Sequence, residues 1–189
     1  KQNCPNDEEK DLFKLPEYIS KMVENNWLGS KSGQGFYKKV KDENGKSNIL
    51  VLDLESLEYR EKQKVKFPTL EMTKPIDDLK QRTKMLFMGM DKAGDFYRKV
   101  FGGLFAYVAN RIPEISDDIY KVDDALKAGF GWELGPFETW DLLGLAKGIE
   151  LAEKEGKTIP GWISEMKDAG ISSFYKFENG QQLYYDIES

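Results

Sequence analysis

The chain has 189 residues, of which 40% are hydrophobic and 13% aromatic, enough to build a folded core and unlike a disordered protein. Its formal net charge is -5 and it contains no basic block, which argues against nucleic acid or an anionic membrane as a partner. No apolar run approaches the roughly 20 residues that a membrane span requires.

Histidine and cysteine usage narrows the possible chemistry further. The chain has no histidine, which excludes imidazole acid–base catalysis, Ser-His-Asp and Cys-His nucleophile systems and most zinc sites, so we expect neither a catalytic residue nor a metal site here. Cys4 is the single cysteine and is interpreted as incidental; the absence of any intrachain disulfide suits a reducing compartment and predicts the cytoplasm. The polar, acidic first residues do not resemble a signal peptide, and because the chain begins without Met we expect it to be a piece of a longer protein.

Residues 16–28 predict the first helix. Apolar residues recur there at helical spacing, Pro16 suits the first turn, and Gly29 is expected to end the helix. A glycine-rich loop, GSKSGQG, follows. Two short apolar runs, FYKKV and ILVL, then flank a polar turn that contains Asn44-Gly45, which predicts a β-hairpin.

Residues 53–74 mix charges, scattered apolar residues and Pro68, and Pro75 follows them directly, which predicts an irregular connection. A helix is expected from Lys74 onward, with Thr73 as its N-cap. Large apolar residues then recur four apart along a longer helix, which predicts a buried stripe. This stripe consists of Phe96, Val100, Leu104 and Val108, with Tyr97, Phe101 and Phe105 beside them.

The segment SDDIYKVDDALKAG predicts a helix that is broken at Gly129. Its aspartates lack the spacing and the glycine of a calcium-binding loop, so a solvated helical face is expected for Asp117, Asp118, Asp123 and Asp124. Short helical segments are expected from GPFETWDLLG, LAKGIELAEKEG and PGWISEMKDAG. The run FYKFENGQQLYY predicts a second hairpin.

The loop GSKSGQG raises the possibility of a phosphate site. A phosphate-binding P-loop needs a preceding strand, four residues between its glycines and a following helix, whereas here a helix precedes and a strand follows. A sharp turn, in which the glycines allow positive φ or close backbone approach, is therefore the favoured interpretation. The alternative is that Lys31 contacts a coenzyme A phosphate as a point charge, with Ser32, Gly33 and Gln34 as the remaining candidate binding residues.

Two further motifs have both a structural and a functional interpretation. The run GFGWELGPFE, residues 129–138, could line a ligand channel, but a packing role is favoured in which Phe130, Trp132 and Phe137 fill the core and Pro136 begins a helix. The pair Asn110-Arg111 is interpreted as structural, because a buried Asn needs hydrogen-bond partners whatever its role.

Two passages far apart in the chain resemble each other. Residues 16–38 and 160–176 share an order of helix, loop, Phe-Tyr-Lys and Asn-Gly turn, which favours an internal duplication of domain size. The matched residues are Pro16, Tyr18, Ile19, Ser20, Met22, Phe36, Tyr37 and Lys38, with Pro160, Trp162, Ile163, Ser164, Met166, Phe174, Tyr175 and Lys176. The second copy lacks six loop residues, including most of the glycines.

Two motifs resemble the C-terminal region of the 3-hydroxyacyl-CoA dehydrogenases. The first is similar to the signature that ends the family's helical domain and comprises Gly29, Lys31, Ser32, Gly33, Gly35, Phe36 and Tyr37. The second, residues 110–144, is similar to the second helical repeat of the bifunctional β-oxidation enzymes. It includes Asn110, Arg111, Gly129, Trp132, Gly135, Pro136 and Asp141. The sequence after Pro160 looks like the bacterial form in which an enoyl-CoA hydratase domain follows.

The resemblance implies a mainly α fold, like the helical C-terminal domain of 6-phosphogluconate dehydrogenase, with short β-hairpins. It implies that residues 1–72 are the tail of a first helical repeat plus a linker, and that residues 73–189 are a second repeat. NAD would be bound by an upstream Rossmann domain, which would also supply a His-Glu pair, and acyl-CoA would be the substrate of the whole protein. The alternatives are a helical interaction module with no enzymatic parent and a stand-alone module that binds coenzyme A or phosphate.

Overall fold

The computed structural model describes residues 5–187 and is mainly α-helical with two short antiparallel sheets, which confirms the predicted fold class. Cys4 lies outside the described residues. The chain divides into two compact units, Lys1–Val65 and Lys66–Ser189, called here the first and second units. Between residues 5 and 187, no helix combines the length and the apolar character needed to cross a bilayer.

The first unit is small. It contains 3₁₀ turns at Lys10–Phe13 and Ser30–Ser32, helix α1 (Glu17–Glu24), and a sheet in the order β1-β2-β3. The strands are β1 (Tyr37–Lys41), β2 (Ser47–Leu52) and β3 (Tyr59–Glu61). The predicted hairpin is confirmed as β1 paired with β2, and β3 is an addition that the sequence pattern did not indicate.

Helix α1 ends earlier than predicted, at Glu24 and not just before Gly29. Asn26 adopts a left-handed conformation (φ 59°), and the N–H of Trp27 donates to the carbonyl of Met22 at 2.8 Å. This pattern satisfies the last carbonyls of a helix, and Asn tolerates the left-handed region better than most residues. Asn26 therefore ends the helix, and Gly29 belongs to the loop that follows.

The second unit holds the remaining helices and the second sheet. The helices are α2 (Pro68–Thr73), α3 (Leu79–Met88), α4 (Lys92–Asn110), α5 (Ile119–Phe130), α6 (Pro136–Leu143), α7 (Leu145–Lys154) and α8 (Gly161–Asp168). Strands β4 (Tyr175–Glu178) and β5 (Gln181–Tyr184) form the second predicted hairpin, which is confirmed.

The expectation of an irregular connection at residues 53–74 is wrong in part, because this segment contains β3 and α2. Thr73 is not an N-cap: it ends α2, and its hydroxyl donates to the carbonyl of Thr69 at 2.8 Å. The cap of α3 is Asp78, whose carboxylate accepts from the N–H of Gln81 at 2.6 Å. The helix predicted from Lys74 therefore begins five residues later.

The predicted apolar stripe of α4 is buried only in its second half. Phe105 and Val108 are buried, but Phe96 is 62% and Val100 47% exposed. Small residues form much of the packed face, because a Cβ at Gly102 would lie only 2.7 Å from the carbonyl oxygen of Leu151 on α7. Large side chains cannot occupy a face where two helix backbones approach so closely. The first turn of α4 likewise buries Ala93 and Gly94, so the i, i+4 pattern indicated the wrong face there.

Aromatic rings fill the core of the second unit. Phe105 stacks on Trp140 with ring centroids 4.9 Å apart, and Phe137 and Phe174 pack edge to face at 5.0 Å. These four residues come from α4, α6 and the start of the second hairpin, and each has 1% or less of its surface exposed. The last residues of the chain thus complete a core that helices much earlier in the sequence begin.

Candidate functional site

The glycines of the loop at residues 29–35 have structural roles. Gly29 (φ 112°) and Gly33 (φ 84°) adopt positive φ, and the N–H of Gly29 donates to the carbonyl of Gln34 at 2.9 Å. A Cβ at Gly35 would lie 2.8 Å from the Cα of Gly29, so the two ends of the loop touch through backbone atoms. This geometry is that of a closed turn between a helix and a strand.

The polar side chains of this loop differ in what they contact. The Ser32 hydroxyl accepts from the N–H of Leu28 at 2.9 Å and lies 3.1 Å from the carbonyl oxygen of Gln34, to which it can donate. Ser32 therefore braces the turn from inside. Lys31 is exposed and forms no ion pair with any residue between 5 and 187. Of the four candidate binding residues, it is the one with a charged group directed to solvent.

Strand β3 supports the same loop. The Tyr59 hydroxyl donates to the carbonyl of Gly35 at 2.6 Å, and its ring lies 5.7 Å from that of Trp27. The two residues that follow the loop remain open to solvent, since Phe36 is 45% and Tyr37 60% exposed. The loop is thus held by its own unit, while the aromatic pair after it is not covered.

Asn110 and Arg111 lie at the end of α4. The Asn110 amide donates to the carbonyls of Ala106 and Thr158, at 2.9 and 2.8 Å. The Arg111 guanidinium lies over the ring of Tyr107, 5.2 Å from its centroid, and pairs with Glu114. Asn110 therefore ties the end of α4 to the segment before α8 by hydrogen bonds to backbone, an arrangement that fits the structural interpretation.

The glycine-aromatic motif at residues 129–141 is spread along three elements. Helix α5 continues through Gly129 to Phe130 and ends where Gly131 adopts a left-handed conformation (φ 67°), so the predicted break at Gly129 is wrong by two residues. Phe130 is 73% exposed and does not fill the core as expected. The same expectation is wrong for Trp132, which is 36% exposed and lies at the edge of the core, with its ring centroid 6.2 Å from that of Phe101. Phe137 does fill the core, as expected.

Asp123 is the main residue that the sequence analysis missed, since it was expected on a solvated face. It is 1% exposed, and its carboxylate accepts from the N–H groups of Phe137 (2.9 Å) and Glu138 (3.0 Å) and from the Tyr175 hydroxyl (2.8 Å). Burial raises the pKa of the Asp123 carboxyl to about 6, against the opposing effect of these hydrogen bonds. The glycine of the GPFE motif explains the location, because a Cβ at Gly135 would lie 2.3 Å from Asp123.

The start of α6 is thereby fully capped. Pro136 begins the helix, as predicted. The Glu138 carboxylate accepts from the N–H of Gly135 at 2.7 Å and from the Lys127 ammonium at 3.0 Å. Together with Asp123, it satisfies the backbone donors that a helix start leaves without partners. The acidic residues of this motif therefore position backbone, and they do not form a pair poised for acid–base catalysis.

Asp141, on the same helix, holds the start of the second hairpin. Its carboxylate accepts from the N–H of Phe174 at 2.7 Å and from that of Tyr175 at 2.9 Å. Burial raises the pKa of the Asp141 carboxyl to about 6. Burial, with the Asp123 charge as a smaller cause, also raises the pKa of the Tyr175 phenol. Tyr175 is thus bonded to both buried carboxylates, Asp123 through its hydroxyl and Asp141 through its N–H. The sequence motifs that contain these residues did not indicate this contact.

The two similar passages share backbone geometry in detail. Helices α1 and α8 each have eight residues after a proline and each ends with the same hydrogen bond, from Trp27 to Met22 (2.8 Å) and from Ile171 to Met166 (3.0 Å). Strands β1 and β4 each begin at the tyrosine of Phe-Tyr-Lys. The carbonyl of the preceding Phe is also bonded alike, by the N–H of Leu52 (2.9 Å) and of Tyr185 (2.8 Å).

Comparisons with known proteins show similarity over nearly the whole chain. A probable 3-hydroxyacyl-CoA dehydrogenase of Bacillus subtilis is 45% identical over 179 residues, which is 95% of this chain. The chain is similar to part of a 3-hydroxyacyl-CoA dehydrogenase. The resemblance that the sequence motifs indicated is thus confirmed. The alignment spans only 22% of the relative's length.

More distant similarity leads to the same group of enzymes. A putative fatty acid oxidation complex trifunctional enzyme of Rickettsia felis is 26% identical over 88% of this chain and 19% of its own length. The protein of the same description from Rickettsia prowazekii is 26% identical over 67% of this chain. No protein-family model matches the chain, and no solved structure matches it.

Proposed function

We propose that this chain is part of an NAD-dependent 3-hydroxyacyl-CoA dehydrogenase of fatty-acid β-oxidation, and that it lies in the C-terminal region of that enzyme. The observation that carries the proposal is the 45% identity over 95% of this chain, with only 22% of the dehydrogenase of Bacillus subtilis covered. The trifunctional fatty acid oxidation enzymes among its relatives support the same pathway. We also propose that an enoyl-CoA hydratase domain follows this segment in the parent.

In this proposal the chain contains the tail of one helical repeat plus a linker, residues 1–72, and a second, degenerate repeat, residues 73–189. The shared geometry of the two helix-hairpin passages supports the duplication. The second repeat would act as the partner of the catalytic repeat, as the second subunit does in a dimer, and would shape the acyl-CoA cleft. Gly35 in the tail of the first repeat, and Asn110, Gly135, Pro136 and Asp141 in the second, have structural roles in this proposal, which their backbone contacts support.

The chain itself is proposed to be inactive without its parent. It has no histidine to remove a proton from the 3-hydroxyl, and its sequence offers no strand–GxGxxG–helix unit for NAD. NAD would be held by an upstream Rossmann domain and, when bound there, would be the hydride acceptor. The single cysteine supports a cytoplasmic location.

The test is a comparison of the parent enzyme with the 189-residue chain. With a 3-hydroxyacyl-CoA as substrate, NADH formation is followed through the near-ultraviolet absorbance that the reduced cofactor has and NAD lacks. We expect the parent to form NADH and the isolated chain to form none. Activity of the isolated chain would overturn its proposed role, and an inactive parent of correct fold would overturn the proposed enzyme.

We further propose that Lys31 is the residue of the 29–35 loop that contacts a coenzyme A phosphate in the parent. Its exposed ammonium supports this role, whereas Ser32 is engaged within the turn and Gly33 and Gln34 shape it. Calorimetric titration of the parent with coenzyme A tests the contact. We expect Lys31→Ala to weaken binding about tenfold, in line with about 1.4 kcal/mol for one charge-assisted contact.

Lys39, an exposed lysine on β1, provides the matched control. Lys39→Ala is expected to leave the affinity for coenzyme A unchanged. Equal effects of the two variants would mean a diffuse electrostatic contribution, and no effect of either would leave the loop with its structural role alone. Both outcomes would overturn a specific contact by Lys31.

A further inference from the structure

The second hairpin begins in a closed environment that α6 largely provides. Phe174 is 1% exposed and packs against Phe137 and Trp140, with ring centroids 5.0 and 5.1 Å apart. The carboxylate of Asp141 accepts from the N–H groups of both Phe174 and Tyr175. Because Phe137, Trp140 and Asp141 are spaced i, i+3 and i+4, one face of one helix supplies all three contacts.

Helix α8 supplies the rest of that environment. The ring of Trp162 lies 6.1 Å from that of Phe174. Trp162 corresponds in the first unit to Tyr18, which lies at the same position of α1 relative to the preceding proline. The first unit therefore contains its own counterpart of α8 and of the hairpin.

Over its described residues, 5–65, the first unit contains no counterpart of α6. Phe36, which corresponds to Phe174, is 45% exposed, and Tyr37 is 60% exposed. No side-chain carboxylate between residues 5 and 187 accepts from the N–H groups of Phe36 and Tyr37 as Asp141 does at the other hairpin. Tyr18 and Ile19 are only half-buried, whereas Ile163 of the second unit is fully buried. The helix-hairpin motif is thus covered by α6 in the second unit and left exposed to solvent in the first.

We propose that the Phe36–Tyr37 edge of the first unit is a docking surface for one α6-like helix of the parent chain. This helix carries an aspartate that accepts from both N–H groups, and large apolar side chains one and four residues before that aspartate. Those positions copy Trp140 and Phe137 relative to Asp141. The ring of Phe36 would then enter an apolar slot as the ring of Phe174 does.

The order of elements identifies where this helix lies in the parent. In the second unit α6 precedes α8 and the hairpin, so the docking helix is expected to precede α1 and therefore to lie before residue 1. The relatives leave ample room for it, since the chain spans 22% of the length of the dehydrogenase of Bacillus subtilis. The inference rests on the proposed function in one respect: it takes the parent to be an enzyme of that longer type.

Hydrogen exchange measured by mass spectrometry tests the docking surface in the parent and in the 189-residue chain. The Phe174–Tyr175 amides serve as the internal reference, because Asp141 covers them in both. We expect the Phe36–Tyr37 amides to exchange at least about tenfold more slowly in the parent than in the isolated chain. Equal exchange in the two proteins would overturn the proposal.

A variant pair gives a second, independent measurement. Phe36→Ala should lower the midpoint of thermal unfolding of the parent by several degrees, of the order expected for a buried aromatic residue, and should hardly affect the isolated chain. Ile49→Ala is the matched control, since Ile49 lies on β2, is 54% exposed and is not part of the docking surface. Protection of Phe36 in the isolated chain that grows with protein concentration would mean that a second copy covers this edge, and would overturn the proposal.

The outcomes separate this inference from the proposed function. If the parent protects Phe36 from exchange but forms no NADH, the proposed docking surface is supported and the proposed enzyme activity is overturned. If the parent forms NADH while its Phe36 amide exchanges as fast as in the isolated chain, the proposed enzyme activity is supported and the proposed docking helix is overturned. In a parent that does protect Phe36 and Tyr37, replacement by Asn of the upstream aspartate that matches Asp141 should remove most of the protection at Tyr37.

Discussion

The two helix-hairpin passages of this molecule have the same backbone and different surroundings. Each has an eight-residue helix after a proline, the same hydrogen bond at the helix end and a strand that begins at Phe-Tyr-Lys. Phe174 is nevertheless buried, and Phe36 is 45% exposed. The difference teaches that local sequence suffices to shape this motif, while a separate helix carrying an aspartate determines whether the motif is covered.

The most direct test of this difference in burial is to remove the corresponding phenylalanine ring from each passage of the isolated chain. Phe174→Ala should destabilise the second unit by about 3 to 5 kcal/mol, because it empties a slot lined by aromatic rings. Phe36→Ala should change the free energy of unfolding by less than about 0.5 kcal/mol, as for a surface substitution. Urea unfolding followed by circular dichroism measures both.

Equal losses from these two substitutions would contradict the contrast in burial. So would a negligible loss from Phe174→Ala, since the ring would then have little of its surface removed from water. Because the chain has two units, separate unfolding transitions are to be fitted if they appear.

The buried carboxylate behind the second hairpin should make stability depend on pH. Folded Asp123 remains protonated up to about pH 6, whereas an unfolded Asp ionises near pH 3.9. The native state therefore holds more protons between these values, and its stability falls as pH rises through them. The advantage of the wild type over Asp123→Asn should shrink by about 2 to 3 kcal/mol between pH 4 and pH 7.

The adjacent Asp124, which is exposed and paired with Lys127, is the matched control for this pH series. Asp124→Asn should change the free energy of unfolding by about 0.5 kcal/mol or less throughout the series. A pH series in which both variants behave alike would show that the burial of Asp123 does not control its ionisation.

A smaller effect concerns the loop that is longer in the first passage. Gly35→Ala would push a Cβ to 2.8 Å from the backbone of Gly29, and should destabilise the first unit by about 1 to 3 kcal/mol. Gly129→Ala has open space within 4 Å and lies in the last turn of α5, so it should stabilise the second unit by about 0.5 to 1 kcal/mol. Thermal unfolding of both variants measures these opposite changes in stability. A loss of stability in both variants would contradict the expected contrast between the two glycines.

The sequence was sufficient for features that depend on neighbouring residues. It predicted both hairpins, the turn formed by the 29–35 loop and the start of α6 at Pro136. It predicted the wrong ends where two local signals competed, as at Asn26 and Gly29 or at Thr73 and Asp78. In each case either residue type suits a helix end, so the local pattern alone does not choose between them.

The polar organisation of the second unit could not be predicted in the same way. Asp123 was assigned to a solvated face because four aspartates stand close together in a polar segment. Its partners lie 14, 15 and 52 residues further along the chain, so no local pattern could reveal them. The glycine before Pro136 was the available signal, since it leaves the space that Asp123 occupies.

Tyr175 joins three parts of the second unit that are distant in sequence. Its hydroxyl binds Asp123 on α5, its N–H binds Asp141 on α6, and the ring of its neighbour Phe174 closes the core. During synthesis on the ribosome, the helical body therefore lacks its closing element until the last residues of the unit have emerged. A chain stopped before Phe174 would present an open aromatic cavity to chaperones. Domains that follow in a longer polypeptide would not delay the closure, because it needs only the second hairpin.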